Sequence, residues 1–225
     1  MIISIILARG GSKGVKNKNL VSVGGKPLLF WTINNLKLCN QIEHIFVSSD
    51  SQIILEQADK YEVNTIKRPD NISLDTSSSE EGWLHAIDVI EKKFKIYPSL
   101  VVAPQVTSPL RADDDFCNAL NLFKENNLDS LLSVVELEDF FVWKRSNDSY
   151  VSHNFDFTNR KRRQDIEKKY LENGSFYIFS PNNLKKYNNR LGGKIGVYIM
   201  NKMHKFQIDN EEDIEICDKI LGLIN

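Results

Sequence analysis

The stretch MIISIILARGGSKG, residues 1–14, decides how the rest of the chain is read. Ile2 to Ala8 is a largely uninterrupted apolar, β-branched run of strand length, as expected of a parallel strand buried on both faces. It passes directly into Ala8-Arg9-Gly10-Gly11-Ser12-Lys13-Gly14. Glycines let backbone approach an anion closely, successive N–H groups can form an anion-binding nest, and Arg9 and Lys13 add charge. The spacing is neither the Walker pattern nor the G-x-G-x-x-G of dinucleotide folds. Taken alone, it leaves a tight turn with solvated cations as the alternative. Lys16 to Asn19 weighs against that turn, because Lys18 and Asn19 return charge and an amide to the same end of the strand.

Outward from this strand, short apolar runs alternate with longer helical patterns. His44 to Ser48, Leu100 to Ala103 and Leu131 to Val135 are expected as strands, then Ser175 to Phe179, Lys194 to Met200 and Phe206 to Asp209. Between them Pro27 to Leu38, Ser79 to Phe94, Asp113 to Lys124 and Asn210 to Leu223 are expected as helices, the first opened by Pro and the others by Ser or acidic residues. Strand alternating with helix implies an α/β sandwich with a mostly parallel sheet. The stretch from Leu137 to Lys169 is polar, dotted with aromatics and aperiodic. It is long for a structureless loop in a compact domain, so it is expected as a projecting hairpin or arm inserted in a single domain spanning residues 1–225.

The chain has 225 residues, 41% of them hydrophobic, and a net charge of −1, which excludes a disordered or fibrous protein. Near neutrality argues against binding nucleic acid by counterion release. No apolar run is long enough to suggest a membrane span. Cys39, Cys117 and Cys217 are odd in number and widely separated. No disulfide is expected, and a reducing, cytoplasmic setting is the default. The four histidines show no metal-ligand spacing.

Gln105-Val106-Thr107-Ser108-Pro109-Leu110-Arg111 leaves the carboxyl end of an expected central strand, where open α/β sheets bind ligands; a Pro-kinked turn capping the next helix is the plainer alternative. Arg68-Pro69 followed by Asp75-Thr76 and Ser77 to Ser79 repeats the combination of one cation with hydroxyls. The run Arg160-Lys161-Arg162-Arg163-Gln164 is followed by acids, which suits a phosphate or carboxylate clamp better than duplex binding. In Phe206-Gln207-Ile208-Asp209, alternate residues of a strand share a face, so Gln207 and Asp209 could reach one hard cation; helix capping is the competing role for these acids.

Taken together, LARGGSKG with Lys18-Asn19-Leu20, Ser48-Ser49-Asp50, Arg68-Pro69 with Asp75-Thr76-Ser77-Ser78, QVTSPLR, Arg162-Arg163-Gln164, Asn173-Gly174 before Tyr177-Ile178 and the Ile208-Asp209-x-Glu-x-Asp ending resemble the acylneuraminate cytidylyltransferases. The resemblance covers nearly the whole chain. It implies a three-layer, Rossmann-like nucleotidyltransferase sandwich in which a dimerisation arm, residues 137–169, reaches towards a partner's site. It implies transfer of CMP from CTP to the anomeric hydroxyl of a nine-carbon acidic sugar, releasing pyrophosphate with Mg2+ assisting. By match to the family's motifs, Ala8, Arg9, Gly10, Ser12, Lys13 and Lys18 hold the triphosphate, and Asn19, Arg68 and Ser79 the cytidine. Gln105, Arg163, Gln164 and Tyr177 match the sugar pocket, Asp209 a magnesium ligand; Arg9, Lys18 and Asp209 would carry the catalysis.

Two residues depart from the family pattern. Gln207 stands where relatives commonly carry the first Asp of Asp-x-Asp, so a metal there would meet an amide oxygen. Glu172 stands before Asn173-Gly174 where some sialic acid enzymes have a basic residue, which points to the legionaminic or pseudaminic acid branch. The competing readings are a Kdo or other sugar cytidylyltransferase and, because of Gln207, a non-catalytic sugar-nucleotide-binding protein.

Overall fold

The computed structural model describes residues 1–11, 14–137 and 141–224. In chain order the strands are β1 (Ile2–Leu7), β2 (Ser22–Val23), β3 (Lys26–Pro27), β4 (His44–Ser49), β5 (Asn64–Lys67), β6 (Leu100–Pro104), β7 (Ser130–Leu137), β8 (Trp143–Ser146), β9 (Ser149–Ser152), β10 (Lys169–Phe179) and β11 (Ile195–Met200). The helices are α1 (Leu28–Leu38), α2 (Gln52–Asp59), α3 (Ser79–Val89), α4 (Asp115–Glu125), α5 (Pro181–Tyr187) and α6 (Glu211–Ile224).

Seven strands form one sheet in the order β11-β7-β10-β6-β1-β4-β5, with β10 antiparallel to both neighbours and every other pairing parallel. The α/β, mostly parallel sandwich is therefore as expected. Alternation along the strands divides the core between the two faces. Ile6, Val102, Phe176 and Ile178 pack with residues of α1, α4 and α6, while Ile5, Ala103, Tyr177 and Phe179 pack with α3 and α5. Period-2 alternation within runs that look uniformly apolar is what lets one strand serve two layers.

The structure differs from the expectation at several points. Phe206 to Asp209 is not a strand: it crosses the end of the sheet and makes a single ladder-like bond, Ile208 N–H to Thr107 O at 2.8 Å. Conversely β10 begins at Lys169, six residues before the expected start, because its polar first half pairs with the outer end of β7. Within the stretch expected as a projecting hairpin or arm, β8 pairs with β9 as a hairpin, with Phe141, Trp143, Phe155 and Phe157 clustered and the Arg160 guanidinium 4.0 Å over the Phe141 ring, in keeping with that expectation. Cys39 and Cys117 are paired as a disulfide, with Cα atoms 5.4 Å apart, joining the end of α1 to α4; Cys217 is free and buried. The odd count concealed a pair brought together only by the packing of two helices on one face.

Candidate active site

The chain runs outward from β1 to β4 and β5, then returns to add β6 on the other side of β1, so the direction of winding reverses between β1 and β6. A crevice opens at the carboxyl ends of strands at such a switch point. Arg9 follows β1 and Gln105 follows β6, so both belong to its rim. The cleft there has a volume of about 520 Å³, and its walls include Arg9, Lys18, Asn19, Arg68, Ser79, Gln105 and Asp209. Seven residues expected from the sequence thus converge from six separate segments.

Each wall residue is held by identifiable contacts. Asp50 Oδ1 accepts the Gly10 N–H at 2.9 Å, and Asn19 Nδ2 donates to Arg9 O at 2.9 Å, so the loop after β1 is tied to β4 and to the 3₁₀ turn at Lys18–Leu20. The Arg9 guanidinium reaches across the cleft to Asp75 at 2.6 Å. Lys18 Nζ donates to Asp209 Oδ1 at 3.0 Å. Gly14 permits that approach: a Cβ there would lie 2.1 Å from Asp209 O, so only glycine lets the loop pass the Asp209 backbone. Arg68 donates through Nε to Ser73 Oγ at 3.0 Å and lies 3.8 Å from Asp50; burial lowers its pKa from the ordinary value and Arg9 adds to the effect, while Asp50 opposes it. Ser79 opens α3, whose N-terminus is fixed by a reciprocal capping box between Ser78 and Glu81.

Arg111 does not face the crevice. It is 5% exposed beneath the crevice floor, donating to Gln105 O at 2.6 Å, Ser175 O at 2.8 Å, Ser175 Oγ at 2.8 Å and Thr32 Oγ1 at 3.2 Å. Burial pushes its pKa down to about 9, against the opposing charge of Asp115.

Other expected residues fall outside the cleft wall. Ala8 is buried, its N–H donating to Ser48 O at 3.0 Å, and the Gly10 N–H is spent on Asp50. Tyr177 is 4% exposed on the α3 side of the sheet, against Trp83, and its hydroxyl donates to Glu172. Burial, with the Glu172 hydrogen bond and charge, pushes the Tyr177 hydroxyl up to about 12. Alternation in β10 sets this side chain behind Trp83, which lines the cleft, so Tyr177 is not on the cleft wall, and Glu172 is engaged with it. Gln164 lines a second hollow of about 440 Å³ on the arm, beside Arg160, Lys161 and Lys168. Arg163 opens a 3₁₀ turn at Arg163–Asp165, its side chain not described, and Ser12 and Lys13 lie outside the described residues. Spacing alone carried no signal for Asp50 and Asp75 as loop anchors, since they lie 40 and 66 residues from their partners.

The family resemblance implies magnesium. Among the described residues no group of three His, Cys, Asp or Glu side chains could hold an ion. Asp209 offers one carboxylate at the cleft mouth, with its side chain 73% exposed, while the Gln207 amide donates to Asn173 O at 2.5 Å and is absent from the cleft wall. This donor set fits an ion bound through one protein carboxylate and substrate phosphates, the usual pattern for Mg2+.

The family model for cytidylyltransferases matches residues 3–223. The chain belongs to the cytidylyltransferase family. It is 30% identical to the post-translational flagellin modification protein B of Campylobacter coli, over 98% of this chain and 94% of that protein. It is also 30% identical to the pseudaminic acid cytidylyltransferase of Campylobacter jejuni, over 98% of this chain and 96% of that one. The N-acylneuraminate cytidylyltransferase of Oncorhynchus mykiss is 31% identical over 95% of this cytidylyltransferase, which spans 48% of the fish protein. Among solved structures, a CMP:2-keto-3-deoxy-manno-octonic acid synthetase complexed with CTP superposes with a TM-score of 0.71 over 100% of this chain and 99% of that one, at 12% identity, a likeness of fold.

Proposed function

We propose that this cytidylyltransferase transfers CMP from CTP to the anomeric hydroxyl of a nine-carbon acidic sugar of the sialic, legionaminic or pseudaminic type, releasing pyrophosphate. The observation that carries the reading is the single cleft in which Arg9, Lys18 and Arg68 converge with Asp209 at the switch point of the sheet. Nucleotidyl transfer leaves little covalent chemistry for the protein, because charge accumulates on phosphate oxygens and must be positioned and stabilised. Arg9 and Lys18, held by Asp75 and Asp209 in the free protein, would exchange those carboxylates for phosphate oxygens, so the cleft pre-organises its cations at the cost of two exposed or half-buried ion pairs. Arg68, Asn19 and Ser79 bind the cytidine end, and Gln105 faces the sugar from the opposite wall. Magnesium, when bound, supplies charge compensation on the triphosphate; Asp209 would hold it.

The full-length relatives named for pseudaminic acid transfer and flagellin modification favour a bacterial nine-carbon acid over Kdo. We also propose a homodimer formed through the arm, whose Trp143, Tyr150 and Phe157 are exposed, and a cytoplasmic location, for which the Cys39–Cys117 disulfide removes the support drawn from the cysteines. Among the described residues no helix is long and apolar enough to cross a membrane. Incubation with CTP, Mg2+ and, separately, N-acetylneuraminate, a legionaminic acid, a pseudaminic acid and Kdo, followed by mass spectrometry, tests the reading. A CMP conjugate of one nine-carbon acid is expected; a conjugate of Kdo alone would replace it.

A further inference from the structure

We infer that Gln207 is a positioning residue for the sugar side of the cleft, bracing the Asn173–Gly174 bulge beneath Gln105, and that it is not a ligand of the cation. The inference rests on the proposed reaction for its sugar-side consequence and on geometry alone for the rest.

β10 shifts register against β7 between Glu172 and Tyr177, and Gly174 within that shift has φ +60°. A bulge releases backbone groups from the ladder, and a buried carbonyl left without a partner is costly. Asn173, 1% exposed, shows how the gap is closed. Its side-chain oxygen accepts from Ser133 Oγ at 2.7 Å, its amide nitrogen donates to His204 O at 3.1 Å, and its main-chain carbonyl accepts from Gln207 Nε2 at 2.5 Å. A carbonyl oxygen can only accept, so the Gln207 carboxamide must turn its nitrogen towards it.

The same bulge supports Gln105. A Cβ on Gly174 would lie 2.6 Å from Gln207 Nε2 and 3.1 Å from Gln105 Oε1, so both carboxamides rest on this one glycine. Gln105 N–H donates to Ser175 O at 2.9 Å, and Ile208 N–H donates to Thr107 O at 2.8 Å, which stitches the segments of Gln105, Ser175 and Gln207 into one wall. Gln105 lines the cleft and Gln207 stands behind it. An acid at 207 would set a carboxylate oxygen against the Asn173 carbonyl. In this chain the amide of Gln207 supplies the donor that the Asn173 carbonyl requires.

The test compares wild type, Gln207→Leu and Gln207→Asp, each shown to be folded by its thermal transition. The two readouts are Mn2+ affinity of the protein–CTP complex by electron paramagnetic resonance, and separate KM values for sugar and CTP. Loss of one hydrogen bond should raise the sugar KM of Gln207→Leu roughly three- to tenfold, with CTP KM and Mn2+ affinity within about twofold of wild type, the shift such a bond cannot account for. Gln207→Asp should raise the sugar KM further and leave Mn2+ affinity no tighter. Weaker Mn2+ binding in the Leu variant, tighter binding in the Asp variant, or an unchanged sugar KM in the Leu variant would overturn the inference. If wild type releases no pyrophosphate with any sugar, the reaction fails on its own, and the Mn2+ comparison still decides whether Gln207 is a ligand.

Discussion

Replacing Arg111 by Met removes a cation buried under the cleft that, among the described residues, forms no ion pair with a carboxylate. Two of its hydrogen bonds go to main-chain carbonyls, Gln105 O at 2.6 Å and Ser175 O at 2.8 Å, and charge-assisted bonds contribute about 1.5–3 kcal/mol each. The gross loss from these two bonds is thus about 3–6 kcal/mol. Two effects reduce it. Both carbonyls keep a second donor, Ser108 N–H on Gln105 O at 3.3 Å and Gln105 N–H on Ser175 O at 2.9 Å, so neither is orphaned. Met also relieves the desolvation of the guanidinium, which can offset part of the loss. A net destabilisation of about 3 kcal/mol is expected, or roughly 6–12 °C in melting temperature for a chain this long. In protein held well below that transition, the sugar KM should rise while the CTP KM stays unchanged, because the anchors of the glycine loop, Asp50 and Asn19, do not touch Arg111. Differential scanning calorimetry and initial-rate kinetics read both effects. A Met variant that melts at or above the wild-type temperature, or that weakens CTP and sugar equally, would refute this role.

Three other perturbations follow from the same geometry. Lys18→Ala removes the cation of the Lys18–Asp209 pair that, in the proposed reaction, would meet the phosphates, and should lower kcat by about two orders of magnitude in steady-state assays, the usual cost of losing one preorganised charge at a transition state. Burial pushes the Glu80 carboxyl up, but the hydrogen bonds and charge of Arg190 outweigh it, so its pKa falls below the ordinary value. Stability from this group is present above the ordinary carboxylate pKa and lost as pH drops through the lowered folded value; the gap in melting temperature between wild type and Glu80→Gln should close as the solution is acidified past that point. Oxidised protein should show one reactive thiol on unfolding and reduced protein three; Cys39→Ser should cost about 4 kcal/mol only relative to the oxidised form, from closure of a loop with sequence separation 78.

The central strands were legible because β1, β4, β6 and β7 lie inside the sheet and carry largely apolar runs interrupted only by small or terminal polar residues. β5 and α2 left too short a pattern, and the first half of β10 reads as polar because its side chains are exposed while its backbone pairs with β7. The apparent alternation at 206–209 had another cause: Ile208 is buried against the end of the sheet, and Gln207 is turned to the bulge. Around the cleft, the loop motifs marked Arg9, Lys18 and Gln105 as candidates, and all three lie on its wall. What they did not announce were the partners. Asp50, Asp75 and Asn173 act through tertiary approach, and Arg111 lies under the crevice because its guanidinium satisfies carbonyls from two strand ends. Tyr177 went the other way, as the pleat of β10 turned it onto Trp83.

The most direct measurement of the central claim is pyrophosphate release from CTP and Mg2+ in the presence and absence of each nine-carbon acid, with CTP binding measured on the same protein. The account predicts release that requires one of these acids and is lost in Asp209→Asn at Mg2+ levels sufficient for wild type. Protein that binds CTP yet releases no pyrophosphate with any sugar would contradict it.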